Sequence, residues 1–215
     1  MKKIDPNIFT ERLMKHYSAE KCHLDWDAKR PWTLLFAVIL SAQCTDKRVN
    51  MVTPKLFQEF PDLESYVARP LKEIEHVIHS TGFFRSKAKA LKGSAEKILL
   101  DFKGEIPSSM ENLIQLPGVA RKTANVILWN IFHKNEGFVV DTHVGRIAQR
   151  TGLSQEKTPK KIEKDLMRQL SQEHWGELSH MLVQFGRDTC KAPTPKCSEC
   201  FFGDVCPRNG VDHSK

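Results

Sequence analysis

Leu116-Pro117-Gly118-Val119-Ala120-Arg121-Lys122-Thr123-Ala124 reads as a very tight turn between two helices. Gly118 can take a positive φ there, and the following helix begins with unpaired N–H groups pointing outward. With the positive end of the helix dipole, those donors can hold a phosphate without reading base sequence. An ordinary helical hairpin fits the same residues. At about 100° per residue, Lys122 lies about 200° round the helix from Ala120, off a buried face that includes Ala120. It falls in the first helical turn, where the dipole disfavours added positive charge, and a neutral amine is what attacks a sugar C1′ or a carbonyl. Solvation is the ordinary fate of such a lysine.

Val139-Val140-Asp141-Thr142-His143-Val144 supplies a carboxylate that could stabilise a developing sugar cation or take a proton. Asp141 at a helix start also fits a plain N-cap. A third constellation is Cys190-x6-Cys197-x2-Cys200-x5-Cys206, four thiols within one short stretch. With no secretory signal, this pattern reads as a metal site rather than a disulfide framework, and zinc and an iron–sulfur cluster fit it equally. Lys191, Lys196 and Arg187 surround it and could present cations to phosphates. Burial is the reading for Cys22 and Cys44.

The elements that must position these residues are helices. Trp32 to Gln43 is apolar enough for a buried helix, and Thr45-Asp46 caps another running toward Phe60, which Pro54 should kink or break. Leu71 to His79 and Ser86 to Phe102 keep helical spacing. Ser108-Ser109 opens a short helix ending at Leu116-Pro117-Gly118, and Ala120, Ala124, Ile127, Leu128 and Ile131 mark the inner face of the next. Asp141 precedes a helix with Val144, Ile147 and Ala148 inward. Thr158-Pro159 caps and starts a helix to about Leu170, and Glu173 to Arg187 forms the last one. The cysteine tail is irregular. The expectation is an all-α protein.

The chain has 215 residues, 40% hydrophobic and 27% charged, a globular composition that excludes a disordered or collagen-like chain. Lys+Arg 33 against Asp+Glu 26 gives a net charge of +7, and the pI near 9.1 favours a polyanionic partner. The longest apolar run, Leu34 to Leu40, is too short for a membrane span, and no apolar stretch follows Lys2 and Lys3 as in a signal peptide. A protein of a prokaryotic cytoplasm is expected. Gly-x-x-x-x-Gly-Lys, Gly-x-Ser-x-Gly and His-Glu-x-x-His are all lacking.

Taken together, these segments resemble the endonuclease III family of helix-hairpin-helix DNA glycosylases. The likeness runs through Leu40-Ser41-Ala42-Gln43, Thr45-Asp46, Thr81-Gly82, Ser86-Lys87-Ala88, Leu116 to Ala124, Val140 to His143 and the cysteine spacing. It implies a six-helix barrel domain over 26–135 and a helical domain of 1–25 with 136–215, with the active site in the cleft between them. It implies Lys122 as nucleophile, Asp141 as catalytic carboxylate, and Cys190, Cys197, Cys200 and Cys206 as ligands of a structural [4Fe-4S] cluster. Gln43 would fill the space of an extruded base, with Asp46 and His143 near the pocket. Gly118, Ala120, Arg121 and Lys191 would meet the backbone of double-stranded DNA. The implied enzyme is a monomer at the nucleoid that excises oxidised pyrimidines and cuts 3′ to the abasic site by β-elimination.

Three departures stand out. Ala120 occupies the place of a second hairpin glycine, keeping the N–H but adding a methyl. Phe83-Phe84 replaces a leucine and a tyrosine, and an aromatic wedge can still enter a base step. Cys44 follows Gln43 where a small residue is common. The rivals are a monofunctional mismatch glycosylase, which lacks the hairpin lysine, and a non-catalytic DNA-binding iron–sulfur protein.

Overall fold

The structure is a computed structural model and describes residues 2–18 and 23–215; Cys22 lies outside the described residues. Its elements in chain order are α1 (Pro6–His16), α2 (Trp32–Ser41), α3 (Asp46–Glu59), α4 (Leu63–Ala68), α5 (Leu71–Ile78), α6 (Phe84–Phe102), α7 (Met110–Leu113), α8 (Arg121–Phe132), α9 (Thr142–Thr151), α10 (Pro159–Gln169) and α11 (Trp175–Asp188). Short 3-10 turns occupy His79–Thr81 and Gln172–His174. No strand occurs among the described residues. The chain divides into two compact units, Cys22–His133 and Met1–Lys21 with Lys134–Lys215.

The Cys22–His133 unit is built on α2. Leu34, Leu35, Phe36, Ala37, Ile39 and Leu40 are all buried, so this helix has almost no polar face and packs against α3, α6 and α8. A helix apolar on nearly every side is stable only when surrounded, and each buried Leu or Phe side chain contributes roughly 1.5–3 kcal/mol of transfer free energy. The long α6 packs on α2, α4 and α5. Pro54 does not break α3, which runs on to Glu59: the N–H that proline lacks would have bonded only to Asn50. The Asn50 side chain instead ties in the preceding segment, donating to the His23 carbonyl and accepting from the Asp25 amide.

The other unit has its own core. Trp175, Leu178, Leu182 and Phe185 recur at three- and four-residue spacing on α11, which packs on α1 and α9. Two helix starts follow the expected chemistry. Asp5 accepts from the amides of Asn7 and Ile8 with Pro6 opening α1, and Asp141 likewise caps α9. Thr158 occupies the N-cap of α10 without a side-chain bond to the helix amides. Phe9 and Phe202 stack at 5.1 Å, and Phe185 meets Phe202 edge-on at 5.6 Å, which holds the cysteine tail onto α1 and α11.

Candidate functional site

The hairpin turn hangs on α6. Leu116 and Val119 are buried while Pro117, Gly118 and Ala120 face outward, and the Val119 amide donates to the Leu116 carbonyl at 3.1 Å. Gly118 has φ +79°, and a Cβ there would lie 2.9 Å from the Ala90 Cβ, so both conformation and space require glycine. Ser94, buried on α6, donates to the Pro117 carbonyl at 2.9 Å. Ala120 is exposed, as the N-cap of α8, and not on the inner face expected for it; Ala124, Ile127 and Leu128 form that face, with Ile131 half-buried. The reason is geometric: the chain is still extended at Ala120, with φ −98° and ψ 171°, so helical spacing starts one residue later. Alanine offers no acceptor to the first amides of α8. Lys122 is exposed in that first turn, beside exposed Arg121. Within its own unit, its side chain has no hydrogen bond or ion pair among the described residues.

Two further loops of this unit carry sequence-predicted residues. Gln43 follows α2 with φ +53°, and Phe83 precedes α6 with φ +47°. Both are exposed, Phe83 at 64%. Non-glycine residues held in this region cost of order 1–3 kcal/mol each and concentrate where function demands a fixed presentation. Phe84 turns inward, and its ring meets that of His79 at a 43° tilt with centroids 4.4 Å apart. Cys44 is half-buried against the core beneath the Gln43 turn. Asp46 is the first residue of α3 and half-buried.

Asp141 belongs to the other unit. Its Oδ1 accepts the amides of His143 and Val144, both at 2.9 Å, so it is a true N-cap, while Oδ2 takes neither bond. His143 is half-buried against α11, where a Cβ on Gly186 would come within 2.7 Å of its Nδ1. One helical turn on, Arg146 donates to the carbonyls of Gly186 and Cys190, at 3.0 and 2.8 Å. Burial lowers its pKa, with the charge of Cys190 opposing. Arg150, 9% exposed, reaches the Lys191 and Ala192 carbonyls at 2.7 and 2.8 Å and the Cys190 sulfur at 3.4 Å. The helix that starts at Asp141 therefore holds the start of the cysteine segment. Lys191 itself is exposed; Lys196 pairs with Glu199 at 3.5 Å.

Cys190, Cys197, Cys200 and Cys206 line one cavity with roughly 420 Å³ of atom-free space, part of it open to solvent, walled also by Arg150, Phe185 and Phe202. Burial and the neighbouring sulfurs push the Cys200 thiol up to about 11, against the amide of Phe202, and burial raises Cys206 as well. Neutral thiols are tolerated in such surroundings, whereas thiolates there need a partner charge. Among the described residues no group of three or more His, Cys, Asp or Glu is arranged to hold a metal ion. All four cysteines nevertheless line the one cavity.

Four residues that matter to this arrangement were not singled out from sequence for a role: Lys87, Ser94, Arg146 and Arg150. The two arginines stand four apart on one helix face, and Lys87, Leu91 and Ser94 share another. A lysine or serine in phase with buried leucines is the signal they offered.

Residues 36–172 match the model of the HhH-GPD superfamily base excision DNA repair proteins. The endonuclease III of Synechocystis sp. is 49% identical over 91% of this chain and 88% of its own length. That of Bacillus subtilis is 40% identical over 94% and 90%. The fold is similar to an endonuclease III trapped as a covalent intermediate with DNA, with a TM-score of 0.85, 37% identity and 92% of each chain covered. On sequence and fold together, the chain belongs to the endonuclease III family within the HhH-GPD superfamily.

Proposed function

We propose that this protein is a bifunctional DNA glycosylase and abasic-site lyase that removes oxidised pyrimidines from double-stranded DNA. The observation that carries the reading is an exposed lysine, Lys122, in the uncapped first turn of α8, directly behind a glycine turn, in a chain of the endonuclease III family.

The damaged nucleotide must leave the stack before its glycosidic bond can be reached. The first-turn amides of α8, with Arg121, hold a backbone phosphate beside the extruded sugar. The Lys122 Nζ lone pair forms a bond to C1′ as the C1′–N bond breaks, and the departing base is protonated. Loss of a proton from nitrogen and opening of the sugar give an iminium. This acidifies the C2′ proton, whose removal expels the 3′ phosphate, and water releases the lysine. Asp141, with Oδ2 not taken up by the cap, offsets positive charge on the sugar and assists proton transfer. In this reading Cys22–His133 is the barrel domain and the remainder the cluster domain. The protein acts as a monomer at the bacterial nucleoid; no described helix is long and apolar enough to cross a membrane.

Cys190, Cys197, Cys200 and Cys206 would hold a [4Fe-4S] cluster. The support is that all four cysteines line one cavity in a chain of the endonuclease III family. Bound, the cluster would stabilise the thiolates and fix the segment that presents Lys191.

Borohydride trapping on duplex DNA containing thymine glycol tests the chemistry. A covalent adduct with the parent protein and none with Lys122→Ala is expected. Strand scission that persists undiminished in Lys122→Ala would refute it. Iron and sulfide analysis of anaerobically purified protein separates the cluster from zinc.

A further inference from the structure

The mechanism leaves one buried cation unused. Lys87 on α6 is only 5% exposed, and its Nζ donates to the carbonyls of Leu40 and Thr81, both at 2.8 Å. Cores rarely keep a lysine that a methionine could replace, because an ammonium out of water is costly without partners. Burial indeed lowers its pKa, opposed by the nearby Cys44. Its two acceptors belong to no common element. Leu40 is in the last turn of α2, where helix carbonyls lack partners and cations are favoured. Thr81 closes the 3-10 turn before α6, and its hydroxyl already donates to the Ile78 carbonyl at 2.8 Å.

Each acceptor sits at the root of a strained loop. Three residues after Leu40 comes Gln43, and two after Thr81 comes Phe83. Both are exposed non-glycine residues held left-handed, one just past the end of α2 and the other just ahead of α6. One ammonium therefore spans the roots of both loops. The same face of α6 continues to Ala90 and Ser94, which seat the hairpin turn. Short loops with strained backbones keep their shape only when the surrounding structure over-determines them.

We propose that Lys87 is a positioning residue for base extrusion, tying the Gln43 and Phe83 loops into one rigid wedge so that both side chains enter the duplex together. The inference rests on the glycosylase reading above and adds a residue to it. A plain structural tie would serve equally every substrate, whereas a wedge matters only when a base must be forced out of a stacked duplex.

The test uses the full-length holoprotein with Lys87→Met and Lys87→Arg. Single-turnover excision of thymine glycol from a duplex should fall by about tenfold or more in Lys87→Met, since small misplacements of a positioned group carry such penalties. Cleavage of an abasic site in single-stranded DNA, which needs no base forced out, should stay within about twofold of the parent. Lys87→Arg, which keeps donors for both carbonyls, should recover part of the duplex activity. An equal fall on both substrates, or no fall on either, would overturn the proposal. If Lys87→Met does not fold, a double-mutant cycle of the exposed Gln43→Ala and Phe83→Ala decides. Losses in duplex excision that are non-additive by about fivefold support a single wedge, and losses that multiply independently refute it. A parent protein that forms no trapped adduct and excises nothing would instead sink the glycosylase reading itself, and this inference with it.

Discussion

The two units hold their functional residues by different means. In Cys22–His133, the loops bearing Gln43, Phe83 and Gly118 are fastened by side chains of one helix, with Lys87, Ala90 and Ser94 of α6 meeting them directly. In the other unit, the cysteine segment is irregular and hangs from Arg146 and Arg150 and from stacked Phe9 and Phe202. Its four thiols gather in one cavity, where burial raises the pKa of Cys200 and Cys206. In the function proposed here, one unit carries a site built by its own side chains, and the other a cysteine segment that a bound cluster would complete.

The contrast can be broken most forcefully at the cysteines. Cys200→Ala should lose bound iron and several kcal/mol of stability, on the order of 3–5, as a metal-dependent fold loses its metal. Differential scanning calorimetry with iron analysis reads both, and an unchanged Tm would show this unit as self-sufficient as its neighbour. Asp141→Asn is next. Asparagine caps helices about as well as aspartate, so Tm should barely move, while duplex excision falls by about 100-fold through loss of the charge. A large drop in Tm without that loss of rate would reduce Asp141 to its cap.

Gly118→Ala attacks the hairpin unit's site. A left-handed alanine with its Cβ against Ala90 should cost about 2 kcal/mol and weaken DNA binding, with iron content unchanged. Thermal melts and iron analysis together check that the damage stays in its own unit. The smallest effects belong to single surface cations, one on each unit. Arg121→Ala and Lys191→Ala should each weaken binding to any duplex and flatten the slope of log K against log salt by about 0.9. Fluorescence anisotropy across a salt series measures it. A slope changed by Arg121→Ala alone would confine phosphate contact to the hairpin unit.

Local pattern made most helices legible. Thr45 and Asp141 stand as N-caps where their residue types suggest, and Val144, Ile147 and Ala148 are buried where the spacing places them. The short helix at Leu63–Ala68 went unread although Asp62 caps it, and so did α1, whose Asp5-Pro6 start is a clear cap and first position. Both are brief or charged segments with weak apolar periodicity, so burial against another part of the chain decides them. Pro54 misled because its missing N–H affects only one bond in a helix held by Val49, Val52 and Leu56.

Sequence by itself determined what could be chemically reactive and in what order: the lysine behind its glycine turn, the capping carboxylate, and the four spaced thiols. These are properties of residue type and short separation, which the chain carries unfolded. Only tertiary structure decided that Ala120 faces outward, that four cysteines separated by loops share one cavity, and that a single ammonium on α6 reaches two carbonyls distant in sequence. Such facts depend on which surfaces bury one another. The drive to bury apolar area has no direction of its own, so its outcome is fixed by the whole core and not by any one segment.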